Sequence, residues 1–309
     1  MDRSFPAIQK NGTFDCDIIE ANPIVWQGRL LIGEYIRYGR DRTGIPNSHP
    51  SKSYYAVDEN FSYFRFYEPA TGKYFGKIAP GLHMGNAFVD GDRIVVISVE
   101  KWGGSKFYLT ESTDLINWTE PRVIIDNPAF AGFNNSVCKT PDGWVMLFEL
   151  LKPEDLVGVP FTMFFAFSKD LQDWQVLPDV CFGKEHYTGG PMLRYFAGYY
   201  YVFYLNITPE NTYETCVARS TDLKNWQYRP EPVLSYGEKD KILAPDFPMA
   251  KAAEVQAAQD INASDLDMCD YNGNLELIYS WGNQHGTEFL ARAQVPGMTE
   301  QEFCESLFA

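Results

Sequence analysis

Positive charge is scarce in this chain. Lys and Arg number 26 against 41 Asp and Glu, a formal net charge of −15 over 309 residues. Phosphate backbones are held by concentrated positive charge, and anionic membranes repel an acidic surface. The sequence therefore predicts neither nucleic acid nor a membrane as partner, and a neutral ligand is the simplest expectation. No run is long and apolar enough to span a bilayer. Neither a C-x-x-C pair nor a glycine-rich phosphate loop occurs, and Trp102-Gly103-Gly104 reads as a turn. The six cysteines, Cys16, Cys138, Cys181, Cys216, Cys269 and Cys304, read as free thiols rather than a disulfide framework or a zinc site. No metal and no cofactor are expected. MDRSFPAIQK carries no apolar signal region, so the expectation is a cytoplasmic protein, or a periplasmic or secreted one if a leader has been removed.

Aromatic residues are plentiful, with 19 Tyr and 22 Phe, and they favour strands over helices. One heptapeptide recurs three times: Ser112-Thr-Asp-Leu-Ile-Asn-Trp118, Ser168-Lys-Asp-Leu-Gln-Asp-Trp174 and Ser220-Thr-Asp-Leu-Lys-Asn-Trp226. A weaker copy is Asp58 to Phe64. A period of about fifty residues marks an array of like units. Ser and Asp bond their own backbone and start tight turns, and the indole covers a large apolar area. Strand-like runs flank each copy, so the motif reads as a structural corner between strands.

A second repeat lies between the corners: a polar cluster, a strand, a Gly turn, then an aromatic strand. Its five copies begin near Glu20, His83, Asn134, Tyr187 and Ser264, with turns at Gly28, Gly91, Gly143, Gly198 and Gly273. Four antiparallel strands in each of five units predict an all-β, five-bladed β-propeller forming one domain over residues 1–309. The last unit lacks the tryptophan corner, and the N-terminal segment is expected to supply its outer strand. Short helices are expected near Ala250–Ala258 and Met298–Phe303.

In a propeller the innermost strands converge on the axis, and the five polar clusters are their starts. They carry Asp17, Glu20 and Asn22 from the first unit, His83 and Asn86 from the second, and Asn134 and Asn135 from the third. The fourth brings Glu185, His186 and Tyr187, and the fifth Asp265 and Asp267. Carboxylates and amides bond hydroxyl groups, and rings such as Trp26, Trp102, Trp281 and Tyr187 stack on sugar faces. His285, in a polar turn, is a further wall residue. A polar ring with few cations suits a neutral sugar. Glu20 lies two residues before Asn22, and Asp265 two before Asp267, so strand alternation places each pair on one face.

The corners and the aromatic inner strands resemble the five-bladed propeller glycoside hydrolases, family 43 and its relatives in families 32, 62, 117 and 130, over about residues 15–295. The resemblance implies cleavage of terminal arabinofuranosyl-like or xylosyl-like residues from plant or algal oligosaccharides. It also implies three acids, at positions that fall here on Asn22-Pro23, on Asn134 or Asn135, and on Gly189-Gly190-Pro191. None of these is acidic. The chemistry would therefore pass to displaced carboxylates, with Glu20 and Asp265 as the working pair. Asp267, Glu185 and His186 would support them or substitute for one. Glycosidic cleavage needs one carboxyl kept protonated and one ionised, and clustering drives their pKa values apart. The alternatives on the same scaffold are a non-catalytic carbohydrate-binding propeller and a glycoside phosphorylase, which needs a cation such as Arg29, Arg37 or Arg194 at the mouth.

Overall fold

The computed structural model describes residues 6–16, 18, 20–36, 62–284 and 288–309. Strand β1 (Gln9–Cys16) opens the described chain. Blade one follows as β2 (Ala21–Trp26), β3 (Arg29–Ile36), β4 (Tyr63–Glu68) and β5 (Lys73–Ile78). Blade two holds β6 (His83–Asp90), β7 (Arg93–Val99), β8 (Lys106–Ser112) and β9 (Arg122–Asp126). Blade three holds β10 (Gly132–Thr140), β11 (Gly143–Leu150), β12 (Thr162–Ser168) and β13 (Gln175–Phe182). In blade four are β14 (Met192–Phe196), β15 (Tyr199–Ile207), β16 (Tyr213–Ser220) and the short β17 (Gln227–Tyr228). Blade five is β18 (Asn262–Tyr271), β19 (Asn274–Gly282) and β20 (Glu288–Pro296), completed by β1, which pairs antiparallel with β20 from Gln9↔Gln294 to Cys16↔Phe289. The N-terminal segment thus supplies the expected outer strand. Blades four and five are joined by a parallel bridge at Tyr213↔Asn262, so their strands form one mixed sheet.

Each inner strand touches the next, β2–β6–β10–β14–β18, and β18 returns to β2. The core lies between blade faces. One apolar cluster joins blades one to three through Trp26, Phe66, Ile97 and Phe148, and another joins three to four through Leu147, Phe165 and Val202. Blades four and five share Phe203, Leu277 and Trp281, and five and one share Phe14, Ile32 and Ile278. Both faces of a blade are covered, which is why these strands read as near-continuous apolar runs.

The three heptapeptides are the connections between third and fourth strands. In the first, Ser112 Oγ accepts from Leu115 N at 3.0 Å, and Asp114 Oδ1 accepts from Ile116 N and Asn117 N at 2.9 and 2.7 Å. These bonds hold Leu115, Leu171 and Leu223 in the left-handed region, at φ 66°, 65° and 61°. They also pull the Asp114 carboxyl down to about 2. The tryptophan then reaches the preceding blade. Trp118 stacks on Phe66 of blade one, with ring planes 8° apart, and Trp226 stacks on Phe165 of blade three. The corner therefore fastens blade to blade. Asp58 to Phe61 of the weaker copy lie outside the described residues, and Tyr63 opens β4. Blade one instead turns from third to fourth strand at Glu68–Lys73, where Glu68 O accepts from Gly72 N at 2.9 Å.

Helix α1 (Ala252–Ala257) falls inside the expected segment. Helix α2 (Glu300–Ser306) begins at a capping box, with Thr299 and Glu302 each accepting from the other's backbone N–H. Its first residue, Glu300, reaches the ring: Arg194 on β14 bonds both Glu300 and Asp267 at 2.5 Å.

Candidate active site

All five inner strands start on one face of the ring. Antiparallel alternation puts the loops between second and third strands on the same face. At the axis lies a cavity of about 40 Å³ lined by Glu20 and Asn22, by Gly85 and Asn86, by Asn134 and Asn135, by Gly190 and Pro191, and by Asp265, Leu266 and Asp267. Every blade contributes. That volume holds a few water molecules.

Three of the five strands reach the cavity through a β-bulge. Register slips between His83 and Asn86 in β6, between Gly132 and Asn135 in β10, and between Ser264 and Asp267 in β18. Bulges re-aim side chains and collect beside active sites. In β18 the bulge puts Asp265 at φ 50°, a conformation Asp tolerates better than most residues. Gly190 faces it at φ 52°, and a Cβ there would stand 2.6 Å from Asp265 Oδ1. Asp265 thus occupies the space that glycine vacates. Ser264 Oγ donates to Asp265 Oδ2 at 2.6 Å and is itself held by Asn262 and Gln284. Strict alternation does not survive the bulge: Asp265, Leu266 and Asp267 all line the cavity.

The structure brings together most of the expected wall. Asn22 bonds Ala87 of blade two in both directions, at 2.6 and 3.1 Å. Asn135 Nδ2 donates to Met84 O and Ile97 O, and Asn86 Nδ2 donates to Asp267 Oδ2 at 3.3 Å. Asp267 is the carboxylate paired with Arg194, which fixes it in the cavity wall.

Other expected residues lie elsewhere. His83 is fully buried, with Nδ1 on Tyr35 Oη at 2.6 Å and Nε2 on Ser62 Oγ at 3.2 Å, so it ties blades one and two. Trp281 is fully buried, donating to Thr13 Oγ1 at 2.7 Å and stacking on Phe289, and offers no face to a sugar. Trp26 is likewise buried and bonds Asp92 O. Glu185 is exposed and lies outside the cavity lining. His186 sits among Phe182, Tyr204 and Tyr228, where burial lowers its pKa against the pull of Glu185. Lys184 and Glu185 are exposed in the link before β14, and Gly189 O accepts from Leu205 N at 2.8 Å. Tyr187 folds back so that its hydroxyl lies 3.1 Å from where a Gly189 side chain would begin. Asp17, His285 and Arg37 lie outside the described residues.

One carboxyl escaped the sequence reading. Glu149, on β11 and 1% exposed, lies behind the cavity wall, where its Oε2 accepts from Asn134 N at 3.2 Å. Burial, then the charges of Asp265 and Glu20, push its pKa well above the ordinary glutamate range, against the backbone N–H groups of Asn134 and Gly190. Its second oxygen, Glu20 Oε2 and Asn135 Oδ1 are buried without a hydrogen-bond partner among the described residues. Three such oxygens stand around one cavity, each able to accept a hydrogen bond from water or a ligand. The available signal was a single charge in the apolar run Trp144–Leu151.

Among the described residues, no cluster of three or more His, Cys, Asp or Glu side chains could hold a metal ion. Arg29 is bound to Glu68 at 2.6 Å, and Arg194 to its two carboxylates. Five of the cysteines are free thiols, four buried and Cys181 half-buried.

No protein-family model matches this sequence, and no curated protein sequence is similar to it. Solved structures share the fold. A xylan β-1,4-xylosidase from Bacillus halodurans superposes with a TM-score of 0.59 at 13% identity, over 93% of this chain and 54% of that one, so this chain spans about half its length. An α-L-arabinofuranosidase from Podospora anserina, in complex with cellotriose, gives 0.59 at 9% identity over 93% and 91%. A β-1,2-mannobiose phosphorylase from Listeria innocua gives 0.55 at 14% identity over 98% and 97%. The fold is the five-bladed propeller on which carbohydrate-active enzymes of these kinds are built.

Proposed function

We propose that this protein is a glycoside hydrolase acting on a neutral oligosaccharide, with Glu20 and Asp265 as the facing carboxylates and Glu149 as the proton reserve behind them. The convergence of these three carboxyls, from blades one, five and three, on one axial cavity carries the reading. Burial and the neighbouring carboxylates raise the Glu149 pKa, which favours a proton held within the cluster. The protonated member donates to the glycosidic oxygen as its bond to the anomeric carbon breaks. The ionised member activates a water or attacks that carbon, according to the separation of the pair. Arabinofuranosyl and xylosyl ends are the first substrates to try, by analogy of fold.

The test is hydrolysis of aryl arabinofuranosides, xylosides and mannosides with and without inorganic phosphate. Turnover without phosphate, abolished in Asp265→Asn, supports the reading. Turnover that requires phosphate makes the protein a phosphorylase, and ligand binding without turnover makes it a carbohydrate-binding propeller.

A further inference from the structure

The cavity has an acidic side and an aromatic side. Glu20 and Asp265 stand on blades one and five. On the mouth face of blades two to four runs an unbroken strip of rings. Trp102 meets Phe133 edge-on at 5.8 Å between centroids, Phe133 meets Phe161 at 5.1 Å, and Phe161 meets Tyr187 at 5.8 Å. Phe133 is buried as the base of the strip, while Trp102, Phe161 and Tyr187 are half-buried and keep surface towards solvent.

The strip meets the cavity at two points. Phe133 directly precedes Asn134 and Asn135. Tyr187 folds over Gly189, next to the Gly190 that faces Asp265. Backbone contacts hold the loops in place: Gly132 N donates to Gly104 O at 2.8 Å, and Val159 N to Lys184 O at 3.0 Å. Phe161 adopts φ 70°, which is costly for a bulky aromatic and is the kind of local strain that accompanies ligand clamps. A row of rings rimmed by amides is the surface that a sugar ring, apolar on its face and polar at its edge, covers well.

We propose that this strip is the platform for the sugar units beyond the scissile linkage, so that the substrate is a neutral oligosaccharide of three or more units rather than a small glycoside. This rests on the assignment of the axial cavity as the reaction centre, and it specifies what lies on the other side of the bond.

The test is calorimetric titration of the whole chain with xylotetraose, arabinotetraose and mannotetraose, each beside its disaccharide. At least one tetrasaccharide should bind roughly tenfold tighter than its disaccharide, and Trp102→Leu and Tyr187→Leu should each remove most of that advantage. On the unaltered protein, the tetrasaccharide should shield Trp102 from oxidation by N-bromosuccinimide, read by mass spectrometry, so the answer does not depend on variants that fold. A wild-type protein with no tetrasaccharide preference overturns the platform, as does a preference that survives both changes or an unshielded Trp102. Binding is read without turnover. A platform without hydrolysis therefore sinks the hydrolase reading alone, and hydrolysis without a platform sinks only this inference.

Discussion

Glu34 on β3 and Glu149 on β11 hold the same place in their blades: buried, on the second strand, within two residues of its mouth end. Their partners across the next strand differ. Glu34 stands opposite Arg65, with Nε 2.7 Å from Glu34 Oε2, whereas Glu149 stands opposite Met163. The Glu34 charge keeps the buried Arg65 guanidinium protonated against its desolvation. Where the strand offers a thioether instead of a cation, burial raises the glutamate's pKa. One position in the repeat therefore gives an ion pair in blade one and a carboxyl with a raised pKa in blade three.

The largest break in this comparison comes from the cavity side. Glu20→Gln and Asp265→Asn should each lower turnover by about a thousandfold or more, roughly 4 kcal/mol of transition-state stabilisation, with the melting temperature held. A loss of folding in step with activity would place these groups in the scaffold instead. The paired side should fail the other way. Arg65→Met removes the cation opposite the buried Glu34 and should cost about 3–5 kcal/mol in denaturant unfolding.

A finer cut is the dependence of stability on pH. Glu149 binds a proton in the fold above the pH at which the unfolded chain releases it. Stability from this group is thus fully present below the ordinary glutamate value and falls as pH rises towards the folded one. Asp260, pushed up to about 7 by burial and then by Asp240, adds a fall of the same sign between about pH 4 and 7. Glu149→Gln with Asp260→Asn should flatten the thermal-melting profile across that range, and an unchanged slope would remove Glu149 from the proton reserve. The smallest effect belongs to the corners. The Asp114 carboxylate, held at about 2, contributes above the unfolded value of 3.8 and is lost only as pH falls through about 2. Asp114→Asn should shift melting by no more than about 3 °C, with activity untouched.

The same contrast explains what was legible in the sequence. The corners announce themselves because their bonds are local: Ser112, Asp114 and Leu115 satisfy one another within a few residues, so the motif recurs letter by letter. The number of blades follows from the second repeat, whose polar starts and Gly turns occur five times. The cavity was found through the strand starts at Glu20, Asn86, Asn134 and Asp265, where polarity interrupts apolar runs. Its details were hidden because they are not local. A bulge leaves no reliable mark in a sequence, so alternation could not give the true aim of residues 265–267. Glu149 looked like part of an apolar strand, and only the absence of a cation on β12 gives it a role. His83 and Trp281 carry the right chemistry but are satisfied by Tyr35, Ser62 and Thr13 on other strands.

The pairing of Gln9 with Gln294 has a consequence for how the molecule is made. Blades one to four are each spun from contiguous chain and can form as synthesis proceeds. Among the described residues, strand β1 pairs along its length only with β20, far along the chain, and closing so long a loop is slow. Glu20 follows β1, and Asp265 belongs to the blade that receives it. A nascent chain that stops before β18 lacks Asp265, Leu266 and Asp267, so the wall of the axial cavity is complete only when blade five joins blade one.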